Sequence, residues 1–162
     1  MTISARPAVP DDAAELLRLR VVMFESMGVD ASARAWRQAC LAHLREGLAD
    51  GSLIGAVVDA PDGSGLACSG LAGLSPRIPS PTNPSGMTAY LSSFSTDPRW
   101  RRRGMARRVL QLLLDRLRQD GVERVELHAT PDGLPLYRSF GFADRPGGRE
   151  MRLRLGEADY ES

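Results

Sequence analysis

Lysine is absent from the chain, and all 21 of its cationic side chains are arginine. No side-chain amine is therefore available for Schiff-base or amine-nucleophile chemistry. Arginine-only usage is that expected of a GC-rich bacterial genome. Cysteine is scarce as well. Cys40 and Cys68 have neither metal-ligand nor redox-motif spacing, and a chain of this length needs no covalent staple, so free, buried thiols are expected. No long apolar run occurs, and Met1 to Pro10 carries none behind Arg6. Neither a secretory signal nor a spanning helix is expected, which points to a cytoplasmic protein with no membrane partner. Nor does one sign of charge dominate: 21 basic against 20 acidic residues leave a formal charge of +1. No global field draws such a chain to nucleic acid, and any basic surface must be local.

What is present is the composition of an ordinary globular chain, 43% apolar and 25% charged over 162 residues. That excludes disordered, collagenous and coiled-coil classes and suits one domain, residues 1–162. Thr2 to Arg6 reads as a first strand. Ala13 to Met27 places Leu16, Leu17, Val21, Met23, Phe24 and Met27 at helical spacing behind a cap at Asp11 or Asp12, with Gly28 as the stop. A second helix over Ala33 to Ala49, capped by Asp30 or Ser32, carries Trp36, Cys40, Leu44 and Leu48 on one stripe and ends at Gly51. His43, among core-facing residues, is expected to be partly buried and structural.

Leu53 to Asp59 and Leu66 to Ser75 form a hairpin about the turn Pro61-Asp62-Gly63-Ser64-Gly65. Pro76 to Gly86, rich in proline, is a long surface loop that can line a substrate mouth. A strand over Met87 to Thr96, a helix over Met105 to Gln119 and a strand over Val122 to Ala129 follow. Then come a short helix over Asp132 to Phe140, capped by Asp132, and a last strand over Arg149 to Leu155 with alternating Met151, Leu153 and Leu155. This order describes an α/β or α+β layer containing a strand-helix-strand crossover.

The most informative segment runs from Phe94 to Arg108. A strand ends, Asp97-Pro98 turns the chain, arginines crowd Arg99 to Arg108, and a helix opens at Gly104. Backbone amides at such a turn, added to the positive helix end, suit a phosphate or pyrophosphate. The spacing matches neither the three-glycine dinucleotide fingerprint nor the nucleoside-triphosphate loop. Taken alone, the arginines also fit a solvated basic face or a nucleic-acid contact, although Trp100 is the lone aromatic among them.

Arg101-Arg102-Arg103-Gly104-Met105-Ala106 resembles the Arg/Gln-x-x-Gly-x-Gly/Ala signature of the GNAT superfamily of N-acetyltransferases. Leu136-Tyr137-Arg138-Ser139-Phe140-Gly141-Phe142 resembles that family's Leu-Tyr-x-x-x-Gly-Phe segment at the usual distance downstream. The resemblance covers Ile3 to Leu155. It implies a GNAT-like fold, with a central mixed, mostly antiparallel sheet of about six to seven strands flanked by about four helices. It implies acetyl-coenzyme A as cosubstrate, with the pyrophosphate on Arg101, Arg102, Arg103, Gly104, Met105, Ala106 and Arg107 and the pantetheine arm alongside Phe94, Ser95 and Thr96. It also implies Tyr137 as the general acid that protonates the leaving thiolate, a task suited to a phenol that keeps its proton at neutral pH.

The general base is not directly implied, because the family's usual carboxylate is missing from Met87 to Thr96. Glu126 is the candidate, with His128 sharing its face by two-residue alternation; each also reads as an ordinary surface or structural side chain. The Asn that many members carry after this strand is replaced by Ala129-Thr130-Pro131-Asp132. No cysteine lies near either motif, so a covalent acetyl-cysteine route has no candidate, and no metal is implied.

The expected activity is acetyl transfer to an amine acceptor, small molecule or peptide, by direct attack in a ternary complex, in a protein that forms a homodimer if it follows many of its relatives. The acceptor and the acyl length are open. Met23, Phe24, Met27 and Trp36 are candidates for the acceptor wall and equally for core packing. The alternatives are a non-catalytic acetyl-coenzyme A sensor on the same fold, or a nucleic-acid binder using Arg99 to Arg108.

Overall fold

The computed structural model describes residues 2–156, which group into two compact units, one ending at His128 and one beginning at Ala129. The first unit holds a five-stranded sheet in the order β1-β2-β3-β4-β5: β1 (Arg6–Pro7), β2 (Leu53–Asp59), β3 (Leu66–Leu74), β4 (Thr88–Thr96) and β5 (Arg124–Leu127). The first four strands are antiparallel to their neighbours, and β5 runs parallel to β4. Helices α1 (Ala13–Ser26) and α2 (Arg34–Asp50) lie between β1 and β2 in sequence, and α3 (Met105–Gln119) forms the β4–α3–β5 crossover. The second unit contains α4 (Leu134–Ser139). No helix among the described residues is long and apolar enough to cross a membrane.

The two sheet faces are distinguished by strand alternation. Leu71 of β3 joins Leu16 and Leu19 of α1, Leu44 of α2 and Val57 of β2 in one buried cluster. At Gly70, which points the other way, a Cβ would meet Phe94 Cζ at 2.6 Å and Val109 Cγ1 of α3 at 2.8 Å. α1 and α2 therefore cover one face and α3 the other. The buried Val109, Leu110, Leu113, Leu114 and Leu117 form the inner stripe of α3, as the helical periodicity requires.

Several sequence expectations need correction. Among the described residues five strands form rather than about six to seven. Among the described residues, the expected last strand over Arg149 to Leu155 pairs with no other strand, and Met151, Leu153 and Leu155 are 91%, 83% and 92% exposed. The first strand is two residues at Arg6–Pro7 rather than Thr2 to Arg6, and the strand expected over Val122 to Ala129 shortens to Arg124–Leu127. The expected caps also act elsewhere. Asp12 precedes α1, but its carboxylate accepts Arg6 and the Val9 amide. Asp30 accepts the Ser32 amide, leaving Ala33 at the cap position of α2. Gly133, not Asp132, precedes α4. Finally, His43 is exposed, because it falls off the Leu44 stripe of α2.

Candidate functional site

β4 delivers the chain to a tightly held turn. The Asp97 amide donates to Ala67 O at 2.8 Å, and the buried Asp97 carboxylate accepts the Arg99 amide at 3.0 Å, capping a 3-10 turn over Pro98–Trp100. The Arg99 guanidinium reaches the same carboxylate, as does Arg18 Nη1 of α1 at 3.0 Å. Hydrogen bonds from Arg99, reinforced by its amide and by Arg18, hold the Asp97 carboxyl well below the usual carboxylate range. Arg18 also donates to Leu66 O at 2.7 Å and to Glu15, whose carboxylate accepts the Leu66 amide. This network anchors the end of β4 to α1. Its members are distant in sequence, and only the Asp-Pro turn signal hinted at it.

Past this anchor the backbone enters the left-handed region twice, at Arg102 (φ 61°) and Gly104 (φ 75°). A non-glycine residue at such φ is strained and is found preferentially at functional turns. Gly104 precedes α3, no side chain caps this helix, and its first intrahelical bond is from the Arg108 amide to Gly104 O. The amides of Met105 and Ala106 lie ahead of that bond at the positive end of the helix. Arg101, Arg102, Arg103, Arg107 and Arg108 are exposed around it, and Arg103 stacks over Trp100 at 5.0 Å. The space a Cβ of Gly104 would enter is open to 4 Å. Such a helix end suits a polyanion.

The edge of β4 beside this helix end is also distinctive. Pairing with β5 runs from Thr88↔Arg124 to Leu91↔Leu127 and stops there, while β4 continues to Thr96. The divergence coincides with a bulge: Ser93 has φ 56°, and the β3–β4 register shifts between Ser69 and Leu71. Beyond the bulge, Phe94 turns toward Gly70 on the α3 face, Ser95 is buried opposite Ser69, and Thr96 Oγ1 donates to Cys68 Sγ at 3.3 Å. Burial pushes the Cys68 thiol up to about 11, so it stays protonated.

Glu126 pairs in register with Tyr90 of β4. Because Gly73↔Tyr90 and Leu71↔Ser92 match across β3 and β4, Tyr90 and Glu126 share the face covered elsewhere by α1. That face is open here, with Tyr90 42% exposed. Glu126 Oε2 accepts Arg77 Nη2 at 3.4 Å from the loop expected to line a substrate mouth. The same loop is tied to β5 by Arg124, which donates to Thr82 Oγ1 at 2.9 Å, and to the start of β4 by Asn83 Nδ2, which donates to Thr88 Oγ1 at 3.0 Å. His128 is exposed just beyond β5. None of Met23, Phe24, Met27 and Trp36 is buried; Phe24 and Trp36 meet edge to face at 5.6 Å. Met27 is exposed, so the core-packing alternative does not apply to it.

In the second unit, Tyr137 is half-buried on α4 and packs edge to face on Phe142, 5.9 Å between centroids. The Phe142 amide donates to Tyr137 O at 3.2 Å. Gly133 lets the ring lie close, since a Cβ there would sit 2.8 Å from Tyr137 Cε2. Among the described residues, no group of three or more His, Cys, Asp or Glu is placed to hold a metal ion.

No curated protein sequence matches the chain. Among solved structures, it is similar to a predicted acetyltransferase from Clostridium acetobutylicum crystallised with acetyl-CoA, at TM-score 0.82 and 20% identity over 93% of this chain and 96% of that one. It is also similar to a GCN5-related N-acetyltransferase from Ralstonia eutropha JMP134, at TM-score 0.80 and 26% identity over 93% and 99%. An aminoglycoside acetyltransferase from an uncultured soil metagenomic sample shares the fold at TM-score 0.69 and 16% identity over 95% and 97%. The family model of the GNAT acetyltransferases matches residues 14–142, from α1 through α4 to Phe142. With its mixed sheet, its four helices and this match over most of its length, the chain belongs to the acetyltransferase (GNAT) family.

Proposed function

We propose that the protein transfers an acetyl group from acetyl-CoA to a primary amine by direct attack in a ternary complex, and that residues 1–162 act as one catalytic domain. The observation that carries this reading is the pair of left-handed residues, Arg102 and Gly104, ahead of an uncapped α3. A pyrophosphate there meets backbone amides, the helix dipole and exposed guanidinium groups together. The β4 edge from Phe94 to Thr96, past the end of its β5 pairing, offers main-chain groups to an extended pantetheine arm in the manner of an added strand. The family match crosses from the first unit into the second, which supports a single functional domain.

The acceptor amine must lose a proton as its nitrogen bonds to the thioester carbon, and Glu126 accepts it. The carbon–sulfur bond then breaks, and Tyr137 gives its phenolic proton to the departing sulfur, which would otherwise leave as a thiolate. A binding-only role on the same fold is the second reading, favoured by the engagement of Glu126 with Arg77. The deciding experiment is coenzyme A release across a panel of amines. Amine-dependent release supports transfer; tight acetyl-CoA binding with no release by any amine supports the binding-only role.

A further inference from the structure

Arg20 differs from the other half-buried arginines of α1 and β1. Arg6 is paired with Asp12 and Asp59, and Arg18 with Glu15 and Asp97. Arg20 makes no ion pair among the described residues. A guanidinium carries five N–H donors in a planar fork, and the hydrogen bond described for Arg20 uses one, from Nη1 to Ser93 Oγ. The fork lies over the Phe24 ring at 4.9 Å, and Phe24 in turn packs on Trp36. The remaining donors of this half-buried fork meet no carboxylate among the described residues and are available to a ligand anion.

Its location gives that cation a use. Ser93, itself buried, is the bulge residue of β4, on the sheet face where an exposed Tyr90 stands beside the half-buried Glu126. Ser93 lies three positions from Tyr90, roughly 10 Å along the strand, and β5 lies about 4.8 Å further across. Arg20 and Glu126 thus stand at the two ends of one stretch of this sheet face, with the exposed Tyr90 at the Glu126 end and the half-buried Phe24–Trp36 pair beside the cation.

We infer that the acceptor is an amine bearing an oxyanion, carboxylate or phosphate. Its anion sits on the Arg20 fork, and its amine, several bonds away, faces Glu126. This rests on the acetyl-transfer reading and adds the charge of the substrate to it. Planar two-point recognition of an oxyanion is the task to which arginine is best suited. The inference runs opposite in charge to a polycationic acceptor such as an aminoglycoside.

The test compares matched acceptors by coenzyme A release: 4-aminobutyrate against 4-aminobutyramide, 3-aminopropyl phosphate against 3-aminopropanol, and spermidine as the polycation. The wild-type protein is expected to favour at least one anionic member over its neutral partner by about tenfold or more in kcat/KM, with the carboxylate and phosphate pairs telling the two anions apart. Arg20→Gln should bring that ratio to about one, and Arg20→Lys should retain part of it. A neutral or polycationic preference in the wild type, or a ratio that survives Arg20→Gln in folded protein, overturns the inference. Should no amine release coenzyme A, the acetyl-transfer reading fails, and the Arg20 site is judged separately. Calorimetric binding of N-acetyl-4-aminobutyrate or acetyl phosphate to the coenzyme A-loaded protein, lost in Arg20→Gln, supports it, and no binding to the wild type overturns it.

Discussion

Arg18 and Asp97 stand 79 positions apart in the chain and meet at 3.0 Å, joining the first long helix to the turn that leads into α3. The contact sets where β4 ends and so where the helix terminus begins. The Asp97 carboxyl titrates below its unfolded value of about 3.9. Its contribution to stability is therefore full above that value and disappears as pH falls through the lower, folded-state value. Asp97→Asn should cost on the order of 2 kcal/mol at neutral pH, a figure held down by the solvent exposure of Arg99. Urea unfolding at pH 7 and again in acid checks this, the gap between wild type and variant narrowing at the lower pH.

Gly104→Val should weaken acetyl-CoA binding by about tenfold or more, and Arg108→Ala by much less. No atom lies within 4 Å of the added Cβ, so the effect comes from φ 75°, which a β-branched residue resists. Calorimetry on both variants is the measurement, and equal small losses would exclude a backbone cradle.

Tyr137→Phe removes one oxygen and keeps the ring against Phe142. Turnover should drop by a factor on the order of 100 to 10,000 while acetyl-CoA affinity changes little, because the lost proton is needed only when the sulfur leaves. Gly133→Ala offers an independent probe: its Cβ would crowd Tyr137 Cε2 at 2.8 Å. It should displace the ring and lower turnover with the phenol still present. Wild-type turnover in Tyr137→Phe would sink the assignment of the acid.

Glu126→Gln should lower turnover with little change in acetyl-CoA affinity. Arg77→Met, which frees the carboxylate from its 3.4 Å partner, should raise turnover, since the freed oxygen can then take the acceptor's proton. Turnover insensitive to both substitutions would return Glu126 to a structural role. His128→Gln belongs in the same series, because His128 follows Glu126 by two residues just beyond β5.

Local chemistry was largely legible in the amino-acid sequence. The hairpin about Pro61 to Gly65, the helix over Met105–Gln119 and the turn before it follow from periodicity, turn residues and a glycine at the helix start, all interactions between near neighbours. The two segments resembling the GNAT motifs are local in the same sense, and they were sufficient to point to the family.

What stayed hidden depends on residues that are distant in the chain. The alternation of Met151, Leu153 and Leu155 promised a strand, but alternation specifies a face and not a partner to cover it. Asp132 and Asp30 have the composition of helix caps, yet neither occupies the cap position, because cap geometry depends on the backbone around it. The shared face of Glu126 and Tyr90, the engagement of Glu126 by Arg77, and the contrast between a paired Arg18 and an Arg20 that meets no carboxylate among the described residues arise only when strands and helices assemble. Charge and hydrogen bonding act over a few ångströms in space whatever the separation along the chain, so the partner of each cation was a decision of the tertiary fold.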